Sequence, residues 1–273
     1  MTREHIISKD GTPIAVWTSG YGPPLVMVHG AMADHSALAA LVPLLEPHVT
    51  VHAVDRRGRG ASGDRDGYAV EREFADVAAV VDATARRSGR QGVLYGHSYG
   101  ATCALGAAAL TRNLAGLVLY EPGFAGVFAY PPGWLDRLED LLAAGAVEDA
   151  VVLAMRERAG VTPAQLNAMR AAPSWAARVA AGPTIARELR FDQSVAFRAA
   201  DHAGIDTPVL LLLGEHSPPG QRRVVQEIAA ALPDCRIAVL AGQQHVAQVA
   251  APQLVARELV TFVDSLRSSR AMV

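Results

Sequence analysis

Short, uninterrupted runs of hydrophobic residues recur along the chain, and stretches with a helical pattern separate them. Apolar runs of this length are typical of parallel strands that are buried on both faces of a sheet. The strand-like segments are residues 24–28, 50–54, 91–95, 114–120, 208–213 and 236–240. The clearest helical patterns lie at residues 70–87 and 253–266. This alternation predicts an α/β fold built on a mostly parallel, doubly wound sheet.

The N-terminal segment has a different pattern. Residues 6–9 and 14–17 are two short strand-like runs, and the pair Asp10-Gly11 lies between them. An Asp-Gly pair between two such runs favours a tight turn. We therefore predict a β-hairpin before the first parallel strand.

The strand pattern is lost between residues 121 and 206, where helical patterns follow one another. Helices are predicted at residues 134–142, 146–158, 163–171 and 175–190. Ligands of a doubly wound sheet bind at the carboxyl ends of its strands, and an insertion at that edge would cover the site. We therefore predict a helical cap at residues 124–203, inserted into a core formed by residues 1–123 and 204–273.

Five residues, Gly96-His97-Ser98-Tyr99-Gly100, connect the predicted strand at 91–95 to a run of small residues that suits a helix. A G-x-S-x-G sequence in this context makes a sharp, strained turn, and its glycines supply the room that the turn requires. The turn exposes the Ser98 hydroxyl at the end of the strand. The first N–H groups of the next helix, beginning with that of Tyr99, point to where negative charge would develop. The pattern predicts a nucleophilic serine.

A nucleophilic serine needs a general base and donors for the oxyanion. His245 closes the polar loop 241–245 before the C-terminal helix, where an imidazole can reach the edge of the sheet. An imidazole titrates near neutral pH, so it can take up and return a proton. An early strand ends in a His-Gly pair, and we expect the N–H of the next residue, Ala31, to join that of Tyr99 in an oxyanion hole.

Charge and cysteine content limit the possible partners. The chain has 25 basic and 27 acidic residues, so no basic surface for nucleic acid or an anionic membrane is predicted, and the expected partner is a small-molecule substrate. Its two cysteines suit neither a disulfide framework nor a metal site. We expect no secretory leader, because the first residues are polar, and no membrane span, because no apolar run is long enough. We expect a cytoplasmic protein, and the oligomeric state stays open.

One further motif could indicate a cofactor. Residues 58–63 match the dinucleotide pattern G-x-G-x-x-G, but that fingerprint requires a helix that begins at its glycines. The helical pattern begins only near Val70. The phosphate-loop and zinc-protease motifs are absent from the sequence. We therefore expect no cofactor and no metal.

The order of these motifs resembles that of the α/β-hydrolases. The turn around Ser98, the early His-Gly pair, the loop at 55–62 and the late His245 follow one another as in that family, from about residue 20 to the end of the chain. The resemblance implies the α/β-hydrolase fold, a pair formed by Ser98 and His245, and a helical lid. It does not choose a substrate.

The acid that orients His245 is where the chain departs from the family pattern. Members commonly carry this aspartate in a Gly-x-x-Asp setting after the strand at 208–213, and Ser217 stands in that place here. Some members, including certain haloalkane dehalogenases and zearalenone lactonases, resemble this chain in having an acid one strand after the nucleophile turn, where Glu121 stands. Glu121 is therefore the preferred acid, and Glu215 is the alternative.

These features together predict a serine hydrolase that cleaves a carboxylic ester or lactone with Ser98, His245 and Glu121. The Ala, Val, Leu and Met content of the cap, with Trp134 and Trp175, predicts a largely apolar substrate. Two alternatives stay open, because a fold alone does not fix a function. One is hydrolysis of a carbon–carbon bond in a β-diketone by the same residues, and the other is ligand binding without catalysis.

Overall fold

A mostly parallel sheet of eight strands is the centre of the fold in the part of the chain that the structure describes. The computed structural model describes residues 1–127, 130–158, 161–171 and 174–271. The strands are β1 (Thr2–Ile7), β2 (Pro13–Gly20), β3 (Pro24–Val28), β4 (Thr50–Val54), β5 (Gly92–His97), β6 (Leu114–Tyr120), β7 (Val209–Gly214) and β8 (Cys235–Leu240). They lie in the order β1-β2-β4-β3-β5-β6-β7-β8. β2 is antiparallel to β1 and β4, and the other neighbouring pairs are parallel.

Helices cover both faces of this sheet. They are α1 (Val42–Leu45), α2 (Val70–Ser88), α3 (Tyr99–Ala108), α4 (Trp134–Ala143), α5 (Val147–Leu153), α6 (Pro163–Ala171), α7 (Ser174–Ala180), α8 (Ile185–Ser194), α9 (Pro219–Ala231), α10 (Ala247–Ala250) and α11 (Pro252–Ala271). α2, α3 and α9 pack on one face, and α1 and α11 pack on the other. The arrangement confirms the predicted α/β fold. Among the described helices, none has the length and apolar character needed to cross a membrane.

The central strands show why their sequences are uninterrupted apolar runs. In β7, Leu211 and Leu213 belong to the core on the α9 side, whereas Leu210 and Leu212 belong to the core on the α11 side. Successive side chains of a strand point to opposite faces of the sheet. Because helices cover both faces, polar alternation is absent from the sequence of this strand.

The glycine-rich loop after β4, at residues 55–63, has a structural role. Gly60 adopts a φ of 55°, and a Cβ at this position would overlap the carboxylate of Asp55. Asp55 Oδ2 accepts hydrogen bonds from the backbone N–H of Ala61 at 3.0 Å and from Trp17 Nε1 at 2.9 Å. Helix α2 begins only at Val70. The glycines therefore let the loop close around a buried carboxylate.

The segment between β6 and β7 contains α4 to α8. A turn of 3₁₀ helix at Gly182–Thr184 separates α7 from α8, so the prediction of one helix over 175–190 is wrong. Pro183 explains the break, because proline lacks the N–H of a helical residue and its ring clashes with the preceding turn. The buried side chains of these helices form a cluster of their own, which also includes Met32 from the core.

Candidate active site

Ser98 lies at the sharp turn between β5 and α3. Its φ of 54° is in the left-handed region, which residues with a side chain rarely adopt. A Cβ at Gly96 would overlap the carbonyl of Gly100, and a Cβ at Gly100 would overlap the carbonyl of His29. These close approaches explain why both flanking positions are glycine. Ser98 is only 4% exposed, in contrast to the expectation of an exposed hydroxyl, because the neighbouring segments close around the turn.

Glu121 directly follows β6 and is fully buried. Its Oε1 accepts hydrogen bonds from the backbone N–H of Gly214 at 2.7 Å and from the Ser217 hydroxyl at 2.5 Å. Its Oε2 lies 2.7 Å from Nδ1 of His245. Three donors therefore fix one carboxylate. Such bonds to the charged form stabilise a buried carboxylate that would otherwise be costly to desolvate.

His245 holds its ring against this carboxylate. An ionised carboxylate only accepts hydrogen bonds, so Nδ1 of His245 must carry the hydrogen. The lone pair of a neutral His245 then lies on Nε2, the atom through which an imidazole takes a proton from a serine. The tautomer is thus set by Glu121.

The loop that carries His245 is tied to the residues before Ser98 and Glu121. His97 Nε2 donates to the carbonyl of His245 at 2.7 Å, and the hydroxyl of Tyr120 donates to the carbonyl of Gln244. Tyr120 also accepts from the backbone N–H of Ala247 at 3.1 Å. Its own carbonyl accepts the N–H of Ser98 at 2.8 Å. These bonds bring the three predicted residues to one end of β5 and β6.

His97 is neutral in this arrangement. Burial, with a smaller effect from a charge on His245, lowers the pKa of His97 to about 3. The two rings lie 4.8 Å apart between centroids. A neutral His97 can therefore position the His245 loop without placing a second positive charge beside the imidazole.

Glu215, the alternative acid, lies elsewhere. It is exposed, and its carboxylate accepts the backbone N–H of Gly242 at 2.7 Å. Ser217 instead supports Glu121 through its hydroxyl. The position of Ser217, where family members commonly place the acid, was the sequence signal that could have pointed to this contact with Glu121.

The segment expected to supply one oxyanion donor lies against the serine. A Cβ at Gly30 would lie 3.2 Å from the Cβ of Ser98 and 3.0 Å from Nδ1 of His97. Ala31 follows Gly30, and Tyr99 is the first residue of α3, where a backbone N–H has no acceptor within the helix. Both expected donors, Ala31 and Tyr99, therefore flank Ser98.

Comparison with known proteins places the chain in a family. The sequence profile of the Alpha/beta hydrolase family matches residues 25–258. The chain belongs to the α/β-hydrolase family. The part matched contains the turn with Ser98, Glu121 and His245.

Several hydrolases are similar to this α/β-hydrolase over nearly their whole length. A structure of an alpha/beta hydrolase from Sphaerobacter thermophilus DSM 20745 is 38% identical, with a TM-score of 0.82 and coverage of 95% of this chain and 100% of that one. The 2-(acetamidomethylene)succinate hydrolase of Mesorhizobium japonicum is 27% identical over 96% of this chain and 97% of its own. An esterase from Rhodococcus sp. ECU1013 shares the fold, with 23% identity, a TM-score of 0.73 and coverage of 97% and 100%. These relatives support hydrolase activity.

A buried polar cluster of the cap segment lies near the site of this α/β-hydrolase and was missed from the sequence. Arg158 donates to Asp192 at 2.5 Å and, through Nε, to the Tyr130 hydroxyl at 2.8 Å. Burial raises the pKa of Asp192, whereas Arg158 and, more weakly, a charge on His245 lower it. A Cβ at Gly123 would lie 2.8 Å from Oδ1 of Asp192, so the cluster lies against the segment that follows Glu121. No motif marks it, because its members lie far apart in the sequence.

One group in the described part of the chain has metal-ligand geometry. Ligand atoms of Asp34, His35 and Asp55 lie within 4.8 Å of one another. Asp55 is already bonded to His35 at 2.7 Å, and despite its burial, hydrogen bonds from His35 and Ala61 lower the pKa of Asp55 to about 2. The group therefore serves the loop structure described above.

Proposed function

We propose that the protein is a serine hydrolase that cleaves a carboxylic ester or lactone through an acyl-enzyme. The observation that carries this proposal is the 2.7 Å contact of the buried Glu121 carboxylate with Nδ1 of His245, beside the strained Ser98 turn. In this proposal Ser98 is the nucleophile, His245 the general base and Glu121 the orienting acid. A base oriented by a third group is the geometry that activates a serine.

The proposed reaction has two halves. Nε2 of His245 takes the proton of the Ser98 hydroxyl as the oxygen attacks the substrate carbonyl, and the N–H groups of Ala31 and Tyr99 stabilise the oxyanion. His245 then gives the proton to the leaving alkoxide. Water, activated by the same imidazole, hydrolyses the ester bond to Ser98. Glu121 stays ionised and stabilises the imidazolium during both halves.

The helices between β6 and β7 are proposed as the cap over this site. Their cluster packs on Met32, which directly follows the expected oxyanion donor, and Arg178 donates to the carbonyl of Met32 at 3.1 Å. The ring of Phe191 on α8 packs edge-on against the Tyr99 ring, with 5.7 Å between centroids. These contacts support a cap that closes on the oxyanion side of Ser98.

The two tryptophans of this segment lie within the cap structure. Trp134 is 1% exposed and packs on Tyr130, and Trp175 donates to Glu148 at 3.3 Å. An apolar substrate would therefore meet other side chains, such as Phe191. The name of the Mesorhizobium relative specifies a succinate derivative. A substrate screen must include compounds with a carboxylate as well as apolar ones.

A panel of esters, lactones and β-diketones tests this proposal. The wild type and Ser98→Ala are assayed with matched apolar and carboxylate-bearing members of each class. We expect turnover of at least one ester or lactone that is lost in Ser98→Ala. Turnover of β-diketones alone would favour carbon–carbon bond hydrolysis. Saturable binding of a panel member without turnover would favour a binding protein.

A further inference from the structure

The carbonyl of Gly30 is held by two side chains. His29 Nδ1 lies 2.8 Å from this oxygen, and a guanidinium nitrogen of Arg56 donates to it at 3.2 Å. The Gly30 carbonyl and the Ala31 N–H belong to one trans peptide unit, so they point in opposite directions. Two donors on the carbonyl therefore fix the direction of the N–H that the proposed oxyanion hole requires.

The tautomer of His29 agrees with this role. Its Nε2 accepts the backbone N–H of Arg56 at 3.2 Å, so Nδ1 carries the hydrogen and donates to Gly30. Burial, and the nearby charges of Arg56 and Arg59, lower the pKa of His29 and keep the ring neutral. Arg56 thus acts on the Gly30–Ala31 peptide twice, through its guanidinium and through the ring of His29.

Arg56 is itself held between the core and the cap. It is 1% exposed, and it binds Glu73 of α2 at 3.1 Å and Glu188 of α8. Its guanidinium carbon lies 4.8 Å from the centroid of the Tyr99 ring. Tyr99 supplies the second expected donor of the oxyanion hole. One guanidinium therefore contacts both segments that flank Ser98 and a helix of the cap.

The charges around Arg56 are balanced. Arg59 binds Glu188 at 2.6 Å and lies 3.6 Å from Glu73, so two arginines face two glutamates in the buried cluster. A buried ion pair can be present for packing alone, and it is weak evidence of a role in stability or function. Arg57 provides the comparison, because it is equally buried but binds Asp76 at 2.6 Å and Asp10, in the turn between β1 and β2, at 3.0 Å.

We propose that Arg56 is a positioning residue that orients the Gly30–Ala31 peptide of the oxyanion hole, and that the cap holds Arg56 in place through Glu188. This inference rests on the proposed function. It makes the oxyanion hole dependent on the docking of α8, because loss of Glu188 would release the guanidinium that holds the Gly30 carbonyl.

Three variants test the inference against the wild type. Arg56→Lys keeps the positive charge but carries all its donors on one nitrogen, so it cannot reproduce the contacts that Arg56 makes from two separate nitrogens. Arg56→Met combined with Glu188→Gln removes one charge of each sign and keeps the cluster balanced, which protects the fold if the lysine variant is unstable. Arg57→Lys is the matched control, with the same chemical change in a buried ion pair of the same loop.

The first readout is the steady-state rate with an active ester, corrected for the fraction of sites that a fluorophosphonate labels. We expect kcat about 10- to 100-fold lower in both Arg56 variants, with KM within about threefold, because a misaligned donor weakens mainly the transition state. Affinity for a boronic acid that mimics the tetrahedral intermediate should fall by a similar factor. Arg57→Lys should keep kcat within about twofold. Equal losses in the Arg56 and Arg57 variants would overturn the inference.

The second readout does not depend on activity. In ¹⁵N-labelled protein, the amide resonance of Ala31 should move in Arg56→Lys and stay in place in Arg57→Lys, since the first change alone alters the donors on the Gly30 carbonyl. An unmoved Ala31 resonance in a folded Arg56 variant overturns the inference even if the wild type hydrolyses no ester. If the Ala31 resonance moves in Arg56→Lys but the wild type hydrolyses no panel member, the positioning role is retained and only the proposed function is contradicted.

Discussion

The carboxyl ends of the central strands β5 and β6, here called the edge of the sheet, hold their polar groups differently from the proposed cap. At the edge, Ser98 and Glu121 each directly follow a parallel strand, and backbone hydrogen bonds fix their positions. In the proposed cap, Arg158 and Asp192 come from separate helical segments, and their side chains form an ion pair. A substitution at the edge should therefore remove chemistry and spare the fold. A substitution in the cap cluster should first reduce stability.

Loss of the nucleophile is the strongest test of the edge. Ser98→Ala should lower kcat at least about 10⁴-fold, as expected for a triad nucleophile, and His245→Ala should do nearly the same because the members act as a unit. Both variants should keep the circular dichroism spectrum and Tm of the wild type. More than about a hundredth of wild-type activity in either variant would show that the assignment is wrong.

The two candidate acids give the next largest difference. Glu121→Gln should lower kcat about 10³- to 10⁴-fold, because the imidazole loses both its tautomer and its charge partner. Glu215→Gln should stay within about twofold, since Glu215 is exposed and caps only the N–H of Gly242. Steady-state assays with one ester compare the two variants. The reverse order of damage would make Glu215 the acid.

Ser217→Ala tests how the Glu121 carboxylate is held in place. Ser217→Ala removes one of three donors to the Glu121 carboxylate, and a hydrogen bond to a charged group contributes about 1.5–3 kcal/mol. We expect kcat to fall about tenfold or more. Ser88→Ala is the control, because its hydroxyl also donates a hydrogen bond, to the carbonyl of Thr84, but lies exposed at the end of α2. Unchanged kinetics in Ser217→Ala would show that two donors suffice.

Substitutions in the cap cluster, which is formed by Tyr130, Arg158 and Asp192, should lower the free energy of unfolding. Asp192→Asn breaks a buried ion pair, and loss of one partner of such a pair costs about 3–5 kcal/mol. Glu148→Gln breaks an exposed pair with Arg170 and should cost less than about 1 kcal/mol. Urea unfolding measures both. Equal losses in the free energy of unfolding would mean that the pair of Asp192 and Arg158 contributes no more stability than a surface pair.

The smallest effect is a dependence of stability on pH. Because the folded protein holds the pKa of His97 near 3 and the unfolded chain has the ordinary value of 6.5, the unfolded state binds the extra proton between these values. The free energy of unfolding should therefore fall as the pH drops from 6.5 toward 3. His97→Gln should reduce this slope by up to about 1.4 kcal/mol per pH unit. Urea unfolding at pH 7, 6 and 5 compares the slopes, and parallel curves would contradict a buried neutral His97.

The sequence predicted the edge of the sheet better than the cap, for a physical reason. The turn at Ser98 requires glycine at Gly96 and Gly100, and buried parallel strands require apolar runs, so backbone geometry leaves a readable pattern. Side-chain pairs between distant helices leave none, which is why Arg158 with Asp192, and Arg56 with Glu188, were not predicted. The break at Pro183 was readable but was overridden by the helical pattern on either side.

Ser217 shows the limit of motif reasoning at the edge itself. The motif located the position after β7 at which Ser217 stands instead of the acid that family members commonly carry. It could not show that the hydroxyl would turn to Glu121, because that contact joins residues 96 positions apart. Long-range side-chain contacts of this kind require the structure.

Peptide mapping after reaction with a fluorophosphonate probe tests the central claim most directly. The probe phosphonylates an activated serine and needs no knowledge of the substrate. The account predicts one probe per chain, attached to Ser98, with labelling strongly slowed in His245→Ala and in Glu121→Gln but not in Glu215→Gln. Attachment to another residue, or labelling of Ser98 at the same rate in all of these variants, would contradict a serine nucleophile activated by His245 and Glu121.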